Sequence, residues 1–159
     1  MIELSFQDFH DQKYRENNYC LYVMHNGLGD VLYVGISTVS VWERWFGWGG
    51  HMTWDGNIIY GDTKVGTKIE NHLPDSLGWK IQLWTLKDCL DHCKNDILDN
   101  RSNITIQEIE PIMICKLSPA LNIQLNLRPG KDTTPKSKKE KSWEKYVDQA
   151  YDEIFNKKD

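Results

Sequence analysis

Two runs rich in β-branched and aromatic residues, Cys20-Leu-Tyr-Val-Met-His25 and Asp30-Val-Leu-Tyr-Val-Gly35, flank the tetrapeptide Asn26-Gly-Leu-Gly29. That pattern predicts an antiparallel hairpin whose glycines stand where the turn needs positive φ. Trp79-Lys-Ile-Gln-Leu-Trp84 alternates apolar and polar positions and predicts a further strand. Ser40-Val-Trp-Glu43 reads as a capping box, with Ser40 capping and Glu43 reaching back, and opens a short helix that carries Arg44 and ends at Gly47, Gly49 and Gly50. Residues 86–99 read as a helix. Thr105-Ile-Gln-Glu108 offers a second capping box, and Ile106, Ile109, Met113 and Leu117 form the apolar stripe of the helix it opens. Pro111 costs that helix a backbone bond, so it is expected to start near Glu110 or bend there. Pro119 ends it, with a last short strand over Leu121–Asn126 and a separate acidic, aromatic helix over Ser142–Asn156. Residues 1–18 are polar and without period. Residues 46–78 hold seven glycines and no strong periodicity, which marks either a functional loop or small unrecognised elements. Together these elements predict an α/β domain of the α+β type: a small central antiparallel sheet of about three strands flanked by helices.

A chain of 159 residues suffices for one domain with its own core. No apolar run is long enough for a membrane span, and the polar, acidic start does not resemble an export signal, so an intracellular, cytoplasmic setting with no membrane partner is expected. In that setting Cys20, Cys89, Cys93 and Cys115 read as reduced thiols. The net charge of −4 opposes a nucleic-acid partner, but it is unevenly spread: residues 128–145 carry +4 and the rest −8. A mobile basic segment of that kind can hold phosphates through counterion release, or can serve only as a solvated linker. The organisation expected is a domain over 1–127, a basic linker over 128–141 and a C-terminal helix over 142–159.

The ordered set Tyr22, Tyr33-Val34-Gly35, Arg44, Glu110, Pro119 and Asn122 resembles the GIY-YIG nuclease superfamily over roughly residues 18–126. The paired tripeptides stand here as Cys20-Leu21-Tyr22 and Tyr33-Val34-Gly35, their tyrosines 11 positions apart; Arg44 lies 11 positions after Tyr33. Pro119 and Asn122 follow Glu110 by 9 and 12 positions, the family's spacing. Cys20 and Leu21 replace the family's Gly and Ile, and the 66 positions between Arg44 and Glu110 make residues 46–78 look like an insertion.

The resemblance implies a divalent-metal-dependent DNA endonuclease of restriction, phage or mobile-element, or repair type. Its catalytic residues would be Tyr22, Tyr33, Arg44, His51 and Glu110. One carboxylate suits a Mg²⁺ (or Mn²⁺) ion that keeps most of its waters, and Glu110 is that ligand; Glu108 is a rival with a capping task of its own. Arg44 would clamp the phosphate, Tyr22 would activate the attacking water with support from Tyr33, and His51 is a candidate proton-transfer partner. Gly35 would permit close backbone approach, and Asn122 would tie the late helix to the sheet. Lys131, Lys136, Lys138 and Lys139 are the candidate DNA contacts, and a homodimer could cut both strands. The other reading is a non-catalytic nucleic-acid or protein binding module with the same fold. His72 is a weaker catalytic candidate. Cys89, His92 and Cys93 could seed a zinc site or simply fill core, and Trp42, Trp45, Trp48 and Trp54 could meet bases or pack inside.

Overall fold

The computed structural model describes residues 1–15, 18–97, 103–123, 126 and 128–155. In chain order its elements are β1 (Ile2–Ser5), α1 (Phe6–Phe9), β2 (Tyr19–His25), β3 (Val31–Ile36), α2 (Val41–Phe46), β4 (Met52–Asp55), β5 (Ile58–Gly61), α3 (Lys64–Asn71), β6 (Lys80–Thr85), α4 (Leu86–His92), α5 (Ile106–Leu117) and α6 (Lys138–Phe155). The architecture is α+β. A four-stranded sheet in the order β1-β6-β2-β3 is antiparallel throughout, and β4 and β5 form a separate hairpin.

Hydrophobic alternation along β2 divides the core. Leu21 and Val23 face α4 and α5, where Ile109, Met113, Ile114 and the thiols of Cys89 and Cys93 complete one layer. Tyr22 and Met24 face the opposite layer, built with Phe6, Phe9, Trp45, Met52, Val65 and Ile69. Each fully buried side chain of this size contributes roughly 1.5–3 kcal/mol, so the segment 46–78 helps to build the core through Met52, Val65 and Ile69.

Several expectations change here. Residues 1–18 hold β1 and α1, which are short enough that no period shows. Asn26 makes the hairpin turn by accepting from the Leu28 and Asp30 amides at 2.9 Å each, and of the turn's two glycines only Gly29 has positive φ. Ser40 caps α2, but Glu43 does not reach back; its carboxylate accepts from Arg15 Nε at 2.6 Å. Helix α4 stops at His92 because residues 93–96 form turns; the remainder of the predicted 86–99 helix lies partly outside the described residues. Helix α5 starts at Ile106 with Pro111 inside it, giving up the bond to the Gln107 carbonyl, while Glu108 accepts from the Thr105 amide at 2.9 Å. The described residues of Leu121–Asn126 form no strand, and Gln124 and Leu125 lie outside them.

The basic segment is strapped down rather than mobile. The carboxylate of Asp30 accepts from the Thr133 amide at 2.8 Å and from its hydroxyl, and Asn26 donates to Thr134 Oγ1 at 2.8 Å. Lys68 on α3 sits between Asp132 at 3.0 Å and Glu140 at 3.1 Å, and Lys139 pairs with Glu70 at 3.0 Å. Helix α6 therefore starts at Lys138, inside the stretch read as linker; ion pairs tie its first turn to α3, while residues 141–149 are exposed as expected of an isolated helix. Asn156 lies outside the described residues.

Candidate active site

Hairpin register creates the first half of the site. Tyr22 pairs across the ladder with Gly35, and Tyr33 with Met24, so both phenols leave the same face with ring centroids 6.1 Å apart. The Tyr22 ring lies over Gly35; a Cβ there would run into its hydroxyl and Cζ. Close approach is thus what Gly35 provides, and the group that approaches is the tyrosine itself. Tyr22 is 1% exposed, and its hydroxyl lies 2.5 Å from His51 Nε2.

His51 is held by the segment that looked like an insertion. Its amide donates to the Arg44 carbonyl at 3.1 Å, and its carbonyl accepts from Asp62 at 2.9 Å. Gly66 lets α3 press against that carbonyl, since a Cβ there would overlap it. His51 Nδ1 lies 2.8 Å from Thr63 Oγ1, the N-cap of α3. Burial, with Arg44 adding to it, pushes His51 down to about 3, so its imidazole is neutral at pH 7. Tyr22 is pushed well up, mainly by burial and then by the neighbouring Tyr33, with Arg44 opposing and Glu110 adding. Burial also raises Tyr33, which feels Arg44 and Glu110 as well. These mutual influences place Arg44, exposed on the last turn of α2, within electrostatic reach of Tyr22, Tyr33 and His51.

Glu110 enters from α5. With Tyr33, Lys64, Ile114, Leu121 and Asn122 it lines a cavity of about 320 Å³. Burial raises the Glu110 carboxyl above its usual range, and among the described residues it has no hydrogen-bond or ion-pair partner. Glu108, by contrast, is exposed and occupied by its capping bonds to Thr105. An unpartnered, half-buried carboxylate on an open cavity fits a cation that takes one protein oxygen and keeps its waters. No group of three or more His, Cys, Asp or Glu that could cage a metal occurs among the described residues.

Asn122 closes the free edge of β3. Its Oδ1 accepts from the Val34 amide at 2.9 Å and its Nδ2 donates to the Val34 carbonyl at 2.8 Å, as a further strand would. Asn122→Ala leaves two buried backbone groups unpaired, so urea unfolding is expected to show a loss of about 2–4 kcal/mol.

The five predicted catalytic residues gather at this edge, although Tyr22 stands behind the cavity wall and Tyr33 forms it. Of the predicted DNA contacts, Lys136 pairs with Glu144 and Lys139 with Glu70, while Lys131 and Lys138 are exposed without an ion pair among the described residues. His72 sits away from the phenols, with Nδ1 2.8 Å from the Lys68 carbonyl and Nε2 3.1 Å from that of Pro135. Cys89 and Cys93 belong to core, with Cys93 donating to Met113 Sδ at 3.5 Å. Trp42 and Trp45 are buried, Trp54 stacks 4.0 Å from the His10 ring, and Trp48 stands fully exposed. Sequence reasoning missed Thr63 and Lys64; their signal is an N-cap threonine opening a helix. Comparisons with family models, with curated proteins and with solved structures find no match. No helix among the described residues is long and apolar enough to cross a membrane.

Proposed function

We propose that this chain is a divalent-metal-dependent DNA endonuclease of the GIY-YIG type. The observation that carries the reading is convergence: Tyr22 seated on Gly35 and bonded to His51, with Tyr33 and Glu110 walling one cavity. These groups are spread over 89 positions of the chain and meet at one sheet edge.

Glu110 would hold a Mg²⁺, which when bound neutralises charge on the scissile phosphate. Arg44, charged and free of any carboxylate partner among the described residues, grips a non-bridging phosphate oxygen and offsets the charge that builds there. Tyr33 faces the cavity and orients the attacking water. In the tautomer that leaves Nε2 unprotonated, the Tyr22 hydroxyl donates to His51 while Nδ1–H donates to Thr63. Because Tyr22 stands behind the wall that Tyr33 forms, the step requires that wall to open. The admitted water gives its proton to the Tyr22 oxygen as the phenol's own passes to His51; the water oxygen bonds to phosphorus, the bridging P–O bond breaks, and the leaving oxygen is protonated from solvent. The incoming phosphate offsets Arg44, one of the two causes that hold His51 down, and so favours proton acceptance there. Lys131 and Lys138, both exposed, supply contacts to the DNA backbone.

Two observations favour the binding-module reading instead: the Tyr22 hydroxyl is covered, and two of the four candidate lysines are neutralised. Incubation with supercoiled plasmid separates the two readings. Nicking that needs Mg²⁺ or Mn²⁺ and stops with EDTA is expected; failure to cut supercoiled, linear or branched DNA with either ion overturns the nuclease.

A further inference from the structure

The cavity at Glu110 does not end there. A second cavity of about 210 Å³ shares Lys64 and Leu121 with it, and a third of about 810 Å³ shares Thr67, Asn71 and Glu140 with the second. Lys64, Thr67 and Asn71 recur at helical spacing, so the three cavities form one groove along a single stripe of α3. The groove ends at Trp143 and Tyr146 on α6, whose rings stack at 5.7 Å and 27° and are 65% and 62% exposed. Asn71, which lines the second and third cavities, has an amide oxygen buried with no hydrogen-bond partner.

We infer that this groove receives a single-stranded DNA segment leading away from the cleavage position, so that the substrate is DNA with an unpaired flank; the inference rests on the nuclease reading for its starting point. Each part of the groove suits a strand rather than a duplex. Two parallel aromatic faces open to solvent offer a stacking platform, and only unstacked bases have faces to lay on it. The orphaned Asn71 oxygen is an acceptor for a base N–H, such as the ring N3–H of thymine, and leaving it unpaired carries a cost that such a ligand removes. Lys64 stands at the cavity shared with Glu110, and Lys139 stands beside the aromatic pair; its exposed contact to Glu70 is of the weak kind that a phosphate can displace. The acidic groups that line the second and third cavities are already engaged, Glu140 with Lys68 and His72, and Asp132 with Lys68, which limits their repulsion of a phosphate chain.

The test uses the full chain in EDTA, so that no cleavage intervenes, with fluorescence anisotropy on three labelled DNAs: a short oligo-dT strand, a blunt duplex, and that duplex with an oligo-dT overhang. Wild type is expected to bind the strand and the overhang more tightly than the blunt duplex. Trp143→Ala/Tyr146→Ala is expected to lose about ten-fold or more on the strand and the overhang duplex and nothing on the blunt duplex. Trp143→Phe/Tyr146→Phe, which keeps the faces, should stay within about three-fold of wild type, and an unchanged melting temperature in both variants shows that they fold. Equal binding of the strand by wild type and the alanine variant, or a wild-type preference for the blunt duplex, overturns the inference. Plasmid cleavage with either of those results leaves the nuclease standing without the groove. Strand binding lost in the alanine variant of a chain that cuts nothing keeps the groove as a binding site and removes the nuclease.

Discussion

Glu110→Gln is expected to lower Mg²⁺-dependent cleavage by at least about 10³-fold while leaving the protein as stable as wild type or more so. The catalytic loss follows from the proposed chemistry: glutamine keeps the shape and half-burial of the side chain but removes the anionic oxygen that would bind the cation, and a preorganised charge interaction of this kind is worth roughly 10²–10³ in rate even when only one hydrogen-bond donor is removed. The stability sign follows from the environment. Burial raises Glu110, which means the folded state disfavours its charged form. At neutral pH the charged carboxylate therefore destabilises the fold, and an isosteric neutral amide relieves that. Plasmid nicking and thermal melting on the same preparation check both halves. A variant that cuts as fast as wild type removes Glu110 from the site, and a variant that loses activity by melting shows a structural side chain instead.

His51→Asn carries the second large effect, read through acid unfolding. An unfolded histidine binds its proton near pH 6.5, whereas folded His51 resists protonation down to about 3. Between those values the unfolded state holds more protons, so folded stability falls as pH drops through this window and is fully present above it. The slope from one such group amounts to a few kcal/mol over the window. His51→Asn should flatten that slope in urea titrations between pH 7 and 4, and the difference from wild type isolates His51 from the other histidines. The same variant should slow cleavage by about 10²–10⁴-fold, the usual contribution of a positioned proton acceptor. For wild type, kcat/KM, which reports the free enzyme, should show no His51 inflection at the ordinary histidine pKa, because free His51 is already neutral there. An acid slope that survives in His51→Asn would place its origin elsewhere.

The two predictions draw on parts of the chain that were unequally legible. The hairpin, the strand at Lys80–Thr85 and the Ser40 cap follow from local rules, since a period of two, a turn glycine and a capping hydroxyl each act within a few residues. The spacing of Glu110, Pro119 and Asn122 was readable because one helix and its exit set those offsets. Elements of four residues, such as β1, α1, β4 and β5, were not, because they contain too few positions for a period to emerge and owe their existence to tertiary pairing. Pro111 marked the limit of a local rule: α5 tolerates one missing backbone bond because its apolar stripe is packed on the sheet.

From the chain alone came the α+β class and the two tyrosine-bearing strands of the hairpin, consequences of short-range periodicity; the candidate acid on a later helix came from the family resemblance that the motif spacing carries. Only the folded arrangement decided that Tyr22 is the buried phenol and Tyr33 the one on the cavity, because burial depends on what α2, His51 and α3 lay over the sheet. It alone decided that the glycine-rich segment borders the candidate site, through Thr63, Gly66 and Lys64, and that the basic run is pinned by Asp30, Asn26 and Lys68. Those are long-range partnerships, in which the energy of each contact depends on a residue tens of positions away, and no local pattern encodes such a partner's distance.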